Sequence, residues 1–207
     1  MECARNIQDD QLHLLVRAYG TPDSNQGNQF GVSELYLTSA QVTDISTQAT
    51  IQRTSALGCP SNSAGAHGQA LLFGPFYKGG GGTVADDVRG YFQFDRYSTD
   101  ALGGVEVGGY LSYQGQFFGN IDLGPVNVGE RVSVELKWDQ PNHRFIARLT
   151  RPTFNSFAKQ YMPYSISDTL PAVAPFKAIS ARAFPVNCVG TRSSAEMSVS
   201  FGHVMTN

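Results

Sequence analysis

Strict alternation of apolar and polar residues, repeated in four stretches, is the feature that most constrains how this chain can fold. The stretches run over residues 12–19, 132–138, 144–149 and 197–202. A period of two places every second side chain on the same face, which is typical of a β-strand with one face against a core. Trp138 continues the apolar face of its stretch, so we expect it to be largely buried.

Several other segments are strand-like by composition, and turn-forming residues separate them at roughly 8–12-residue spacing, which is typical of a sandwich or barrel. These segments are Ser33–Thr38, Gln41–Gln52, Gln69–Tyr77, Gly90–Tyr97, Val105–Tyr113, Gln116–Leu123 and Phe176–Phe184. Asp139–Asn142 lies between two alternating stretches and predicts a hairpin turn. The best helical candidate is short, Asn155–Tyr161, between two prolines. The pattern predicts at least ten strands in two packed antiparallel sheets and almost no helix.

Size and charge exclude several classes of protein. The chain has 207 residues and no evident linker, which predicts a single domain over residues 1–207. Only 15% of residues are charged and the net charge is −2, so we expect no general affinity for nucleic acid or anionic membranes. No apolar run is long enough to predict a membrane-spanning helix.

The three cysteines bear on the redox compartment. Cys59 and Cys188 lie in turn-like contexts, Gly58-Cys59-Pro60 and Asn187-Cys188-Val189, and we predict a disulfide between them with Cys3 free or paired outside the chain. Three unpaired thiols are the alternative. A disulfide predicts a secreted, periplasmic or cell-surface setting. The first residues lack the pattern of a signal peptide, which predicts either a mature or excised domain or a cytosolic protein.

Three segments, spread over nearly the whole chain, carry a resemblance to a known superfamily. Asn6–Leu14 resembles the opening strand, Val128–Leu149 the central hairpin and Ser198–Val204 the closing strand of concanavalin A-like jelly rolls, which include laminin G-like and glucanase-like sandwiches. In the closing strand, Gly202-His203 replaces the polar pair common in that superfamily. The resemblance implies an all-β, two-sheet antiparallel jelly-roll sandwich with its first and last strands side by side. It also implies a concave outer face that serves as a ligand surface.

The motifs of several enzyme classes are missing. Retaining glucanases on this fold carry Glu-x-Asp-x-Glu on one strand, because that spacing puts carboxylates on one face, and no strand here has it. Residues of the types used by polysaccharide lyases occur, but not in that family's characteristic strings: His13, Arg17, Tyr19, Arg89, Tyr91, Gln93 and Tyr110. We therefore expect a protein without catalytic activity more than an enzyme, and no cofactor. Calcium could bind through dispersed loop oxygens, with Asp86, Asp87, Asp95 and Asp100 as the nearest acids.

Two consecutive strands predict a ligand surface by parity. Five apolar residues should face the other sheet, since their exposure would leave a large apolar patch: Phe92, Phe94, Val105, Val107 and Leu111. The opposite parity then places five other residues together on the outer face: Tyr91, Gln93, Asp95, Glu106 and Tyr110. Rings beside amide and carboxylate groups suit a sugar, and Gly108 and Gly109 would leave room above them. We expect Tyr91→Ala and Tyr110→Ala to weaken binding with little change in melting temperature.

The sequence thus favours a non-catalytic binding or adhesion module of an exported protein, with carbohydrate or a cell-surface glycan as its partner. Two alternatives stay open. One is a glycan-active enzyme, hydrolase or lyase, whose site is assembled from separated strands. The other is a structural accessory domain.

Overall fold

The computed structural model describes residues 1–22, 30–38, 42–59, 65–100, 104–171 and 176–207. Its first eight strands are β1 (Glu2–Gln8), β2 (Gln11–Tyr19), β3 (Gly31–Thr38), β4 (Asp44–Leu57), β5 (His67–Lys78), β6 (Asp87–Tyr97), β7 (Gly104–Tyr113) and β8 (Gln116–Asp122). The remaining strands are β9 (Val126–Asn127), β10 (Arg131–Asp139), β11 (Arg144–Arg151), β12 (Ser156–Pro163), β13 (Leu170–Pro171), β14 (Lys177–Phe184) and β15 (Ser194–Thr206). Short 3-10 turns lie at Val84–Asp86, Gln140–Asn142 and Pro152–Phe154.

The strands form two antiparallel sheets that pack on each other. One sheet has the order β1-β2-β15-β4-β10-β11-β12, and the second has the order β3-β14-β5-β6-β7-β8, with β13 on β5 and β9 on β7. We call them the seven-stranded and the eight-stranded sheet. The described structure is 70% strand and 5% helix, which confirms the predicted all-β sandwich.

Alternation along each strand follows directly from this layering. In β10, Val132, Val134, Leu136 and Trp138 are buried in the core between the sheets, and the residues between them are partly or fully exposed. Trp138 is 8% exposed, as predicted. The predicted hairpin also forms, since β10 and β11 are paired and joined by the 3-10 turn Gln140–Asn142.

The ends of the chain meet as the resemblance implies, with one difference. β2 pairs with β15 in the middle of the seven-stranded sheet. The segment Asn6–Leu14 is not one opening strand, however. Asp9 and Asp10 both have positive φ, 51° and 60°, and form a two-residue turn that joins β1 to β2, with Gln8 opposite Gln11.

The predicted helix at Asn155–Tyr161 is wrong. Asn155 has a positive φ of 45° and ends a 3-10 turn, after which β12 runs antiparallel to β11. The pairing supplies hydrogen-bond partners to backbone groups of β11 that a separate helix would leave unpaired. Among the other predicted strands, Gln41–Gln52 corresponds to β4, which extends to Leu57, and Gln41 itself lies outside the described residues.

One covalent bond ties two turns together. Cys59 and Cys188 form the predicted disulfide, with an S–S distance of 2.04 Å, and Cys3 is exposed and unbonded. A disulfide of this kind fits an extracellular protein. In the described part of the chain, no helix has the length and apolar character needed to cross a membrane.

Candidate functional site

The outer face of the eight-stranded sheet carries the five predicted site residues on two neighbouring strands. β6 and β7 are paired with Tyr91 opposite Tyr110 and Asp95 opposite Glu106. The apolar residues of opposite parity lie in the core between the sheets, each at most 1% exposed: Phe92, Phe94, Val105, Val107 and Leu111. The structure therefore brings the five together on the side that faces away from the core.

The aromatic rings on this face stack on one another. Tyr91 lies between Phe73 on β5 and Tyr110 on β7, with ring centroids 5.4 Å and 4.5 Å away and nearly parallel planes. Phe117 on β8 meets Tyr110 edge-on at 5.3 Å. Both faces of the Tyr91 ring are thus covered, and Tyr91 is 9% exposed. Phe117 is 67% exposed, so it offers the free aromatic ring surface that sequence reasoning assigned to Tyr91.

An open groove of about 410 Å³ runs beside this stack. Its lining is aromatic and amide-rich: Gln69, Gln93, Tyr97, Gly109, Tyr110, Phe117, Asn120 and Ile121. Two predicted residues, Gln93 and Tyr110, line it. Gly109 on β7 was also expected beside this surface. The remaining residues lie on β5, β6 and β8 and were not predicted as site residues, because their positions depend on strand pairing. The one signal in the sequence that could have found them is their outward parity on the neighbouring strands.

Asp95 lies beneath the groove rather than in it. It is 2% exposed, and the side-chain amide of Gln69 donates a hydrogen bond to its Oδ1 at 3.0 Å. The same amide donates to the side-chain oxygen Oε1 of Gln93 at 3.4 Å. Burial raises the pKa of Asp95 to about 7; the negative charges of Glu106 and Asp100 add to the rise and the Gln69 hydrogen bond opposes it. A carboxyl group with such a pKa can hold or release a proton near neutrality.

Glu106 is exposed and lines a second, smaller cavity of about 160 Å³ together with Asp95 and Asp122. The two cavities share Gln93, Tyr97 and Ile121, so they lie side by side, and together we call them the depression. Because Asp95 and Glu106 are directly opposite on paired strands, their Cβ atoms are about 5 Å apart. Two carboxyl groups therefore lie side by side on this face.

The glycines of β7 allow neighbouring backbones to approach closely. A Cβ atom on Gly108 would lie 2.6 Å from the carbonyl oxygen of Ile121, and one on Gly109 would lie 2.9 Å from that of Tyr91. The pairing of β7 with β8 also shifts register between Gly109 and Leu111. Both glycines also line cavities on this face, so the absence of a side chain leaves room there and also allows neighbouring backbones to approach closely.

The acids nearest one another in sequence already have protein partners. Asp86 accepts hydrogen bonds from the backbone N–H and hydroxyl of Thr83. Asp87 pairs with the buried ammonium of Lys78 at 2.7 Å, and Asp100 accepts the backbone N–H of Tyr97. Within the described residues, no three His, Cys, Asp or Glu side chains are grouped to hold a metal ion. Calcium binding stays a prediction.

The residue types used by lyases are divided between the two sheets. His13, Arg17 and Tyr19 lie on β2 of the seven-stranded sheet. The others lie in the eight-stranded sheet: Arg89, Tyr91, Gln93 and Tyr110. The fold therefore does not gather them into one site.

Comparison with known proteins defines the fold. No protein-family model matches this chain, and no curated protein does. Among solved structures, scytalido-glutamic peptidase with a transition state analog inhibitor is similar, with a TM-score of 0.52, 15% identity, and coverage of 87% of this chain and 80% of that chain. Basic winged bean lectin with Tn-antigen has a TM-score of 0.37 and 14% identity over 95% of this chain and 80% of its own.

The alginate lyase from Klebsiella pneumoniae has a TM-score of 0.45 and 9% identity over 80% of this chain and 59% of its own. Identities this low concern the fold alone. The chain is a two-sheet antiparallel β-sandwich.

Proposed function

We propose that this protein is a non-catalytic carbohydrate-binding module, and that its ligand lies in the groove on the outer face of the eight-stranded sheet. The observation that carries the proposal is the combination of an exposed ring, Phe117, with three side-chain amides in one groove of about 410 Å³. That volume and an aromatic lining with a few convergent polar groups are typical of small-ligand sites. The apolar face of a sugar ring would pack on Phe117.

The polar groups supply what the sugar hydroxyls need. Gln69, Gln93 and Asn120 line the groove, and each amide offers both donors and acceptors. Tyr97 and Tyr110 line the same groove. Carbohydrate binding and glycan cleavage both occur by name among the fold neighbours, so the choice between them rests on the groove itself. The disulfide supports a secreted or cell-surface setting for such a module.

A glycan array, run once with calcium and once with a chelator, would identify a ligand and test calcium dependence. Calorimetry would then compare the wild type with Phe117→Ala and Asn120→Ala. We expect each variant to bind about ten-fold more weakly or worse, with an unchanged melting temperature because both residues are exposed. Phe157→Ala is the matched control, since Phe157 is 74% exposed on β12 of the other sheet. Wild-type affinity in Phe117→Ala, or no glycan bound at all, would refute the proposal.

A glycan-active hydrolase is the second candidate, and the carboxyl pair of Asp95 and Glu106 favours it. Hydrolases that cleave glycosidic bonds use two carboxyl groups facing one site, one of them with a raised pKa so that it can donate a proton. Asp95 has such a raised pKa because it is buried. The test incubates polysaccharides with the wild type, with Asp95→Asn and with Glu135→Gln as the control. A denatured protein is a further substrate, because one fold neighbour is a peptidase. Shortened products that Asp95→Asn alone fails to make would favour the enzyme over the binding module.

A further inference from the structure

The charged residues that line the depression on the outer face of the eight-stranded sheet are all acidic. Its smaller part is lined by three acids, Asp95, Glu106 and Asp122, and neither part has a Lys, Arg or His among the described residues that line it. Glu106 and Asp122 are exposed. Over the described ranges, no ion pair joins a basic side chain to any of the three. The negative charge at this end therefore faces the depression without a protein counter-charge.

Two arginines on the same face are kept apart from this end. Arg182 pairs with Glu34 at 3.4 Å, and its guanidinium lies over the Phe73 ring at 5.1 Å. Arg89 lines a separate cavity of about 270 Å³ that contains Asp87, Tyr91 and Ser112. Arg182 lies opposite Gln69, and Gln69 lies opposite Asp95, so Arg182 is three strands away from Glu106. Along β6, Tyr91 and Gln93 separate Arg89 from Asp95. Neither arginine is therefore close enough to pair with Glu106.

We infer that the ligand of this site is an oligosaccharide of amino sugars that carry free ammonium groups. The inference rests on the proposed function and narrows it. An ammonium group at Glu106 and Asp122 would supply the missing counter-charge, and an acidic sugar would be repelled there. The pKa of Asp95 agrees with this arrangement: burial raises it most, and the negative charge of Glu106 raises it further.

The dimensions of the site indicate an oligomer. Glu106 and Tyr110 are four residues apart on β7, about 13 Å along the strand, and Tyr110 contacts the Phe117 ring. A single sugar ring cannot reach both the free ring and the exposed carboxylate. A chain of several sugars could pack one unit on Phe117 and place the ammonium group of another beside Glu106.

The test compares three short oligosaccharides that differ mainly in charge: a glucosamine tetramer, its fully N-acetylated counterpart and an oligogalacturonate. Calorimetry at a pH of about 5.5 keeps the free amine protonated. We expect the glucosamine tetramer to bind about ten-fold more tightly than the acetylated tetramer, and the oligogalacturonate not to bind. Raising the salt concentration should weaken only the first of these, because salt screens exposed charges.

Variants separate the inference from the proposal on which it rests. Glu106→Gln should remove most of the preference for the free amine, whereas Glu135→Gln, on the other sheet, should leave that preference unchanged. Phe117→Ala should weaken both. Equal or tighter binding of the acetylated tetramer by the wild type would overturn the inference and leave the carbohydrate-binding function in place. Failure of the wild type to bind any glycan on the array would overturn both.

Discussion

Tyr91 and Tyr110 lie directly opposite each other on neighbouring strands and stack ring on ring, with centroids 4.5 Å apart and planes 12° from parallel. Phe73 covers the other face of Tyr91. Tyr91 therefore belongs to a small apolar cluster on the outer face of the sheet, together with Leu71, Phe73 and Ala178. Its ring packs between residues of β5 and β7 and stabilises this face. The exposed ring beside the groove is that of Phe117.

Truncation of Tyr91 should for this reason destabilise the protein. We expect Tyr91→Ala to lower the free energy of unfolding by about 3 kcal/mol, as for other buried rings, measured by urea denaturation. This replaces the expectation from sequence that the melting temperature would hardly change. Phe157→Ala, which truncates a ring that is 74% exposed, should change the free energy by less than about 0.5 kcal/mol. Equal stability of Tyr91→Ala and wild type would contradict the stacked arrangement.

The disulfide should contribute strongly to stability because of the length of chain that it closes. Cys59 and Cys188 are 129 residues apart in sequence, and the chain-entropy model gives about 5 kcal/mol for a loop of that length. We expect a double Cys59→Ala, Cys188→Ala variant to unfold at a clearly lower urea concentration than the wild type. The Cys3→Ala variant is the control, since Cys3 is exposed and unbonded. Equal midpoints for the double variant and the control would show that the bridge does not restrict the unfolded chain.

The parity of β6 and β7 could be predicted from sequence because a strand has a fixed period of two. Phe92 and Phe94 identify the core side of β6, and every second residue from Tyr91 must then face outward. The inner and outer faces of these strands, and the burial of Trp138, therefore followed from local pattern alone.

The complete groove could not be predicted in this way. Gln69 reaches Asp95 through the pairing of β5 with β6, and Phe117 and Asn120 enter beyond a register shift in the pairing of β7 with β8. Register across a sheet depends on contacts that are distant in sequence. The turn at Asp9-Asp10 was missed for another reason, because it lacks the Asn-Gly or Asp-Gly pair that marks two-residue hairpins.

The buried carboxyl group of Asp95 should make stability depend on pH. Its folded pKa of about 7 lies above the ordinary aspartate pKa of 3.8, so between these values the native state binds more protons than the unfolded state. The free energy of unfolding should therefore fall as pH rises from about 4 to 7, by at most about 1.4 kcal/mol per pH unit. Asp95→Asn should lose this part of the slope, whereas Asp122→Asn, at an exposed site, should keep it. Parallel wild-type and Asp95→Asn profiles would contradict the pKa.

A hydrogen-bonded chain inside the core gives a further prediction. The indole N–H of Trp138 donates to the hydroxyl of Tyr164 at 2.7 Å, and this hydroxyl donates to Oδ2 of Asp168 at 2.7 Å. Tyr164→Phe would leave the indole N–H and the Asp168 oxygen without that partner, which should lower the free energy of unfolding by about 1–3 kcal/mol. Trp138 is the only tryptophan, so its fluorescence reports both the unfolding transition and the local change. Tyr161 is 41% exposed on the edge strand β12, so Tyr161→Phe is the control, with wild-type stability and emission expected.

Lys177 should make the free energy of unfolding rise with pH above about 8, which is opposite to the effect of Asp95. Its side chain is fully buried; the ammonium donates to the carbonyl oxygen of Pro75 at 2.7 Å and lies 4.2 Å from the centre of the Phe76 ring. Burial lowers its pKa from 10.5 to about 8, because the charged form loses its hydration. Between these values the unfolded state binds more protons, so stability should rise with pH above about 8.

The comparison of Lys177→Met with wild type between pH 7 and about 9.5 isolates this group. The variant keeps an unbranched apolar stem in the core without the charge, so we expect it to be the more stable protein at pH 7 and to lack the rise that the wild type shows above pH 8. Lys159→Met, on the edge strand β12, should follow the wild-type profile. A wild-type profile that stays flat over this range would mean that the buried ammonium keeps its ordinary pKa, and that the Pro75 carbonyl and the Phe76 ring together replace the water it has lost.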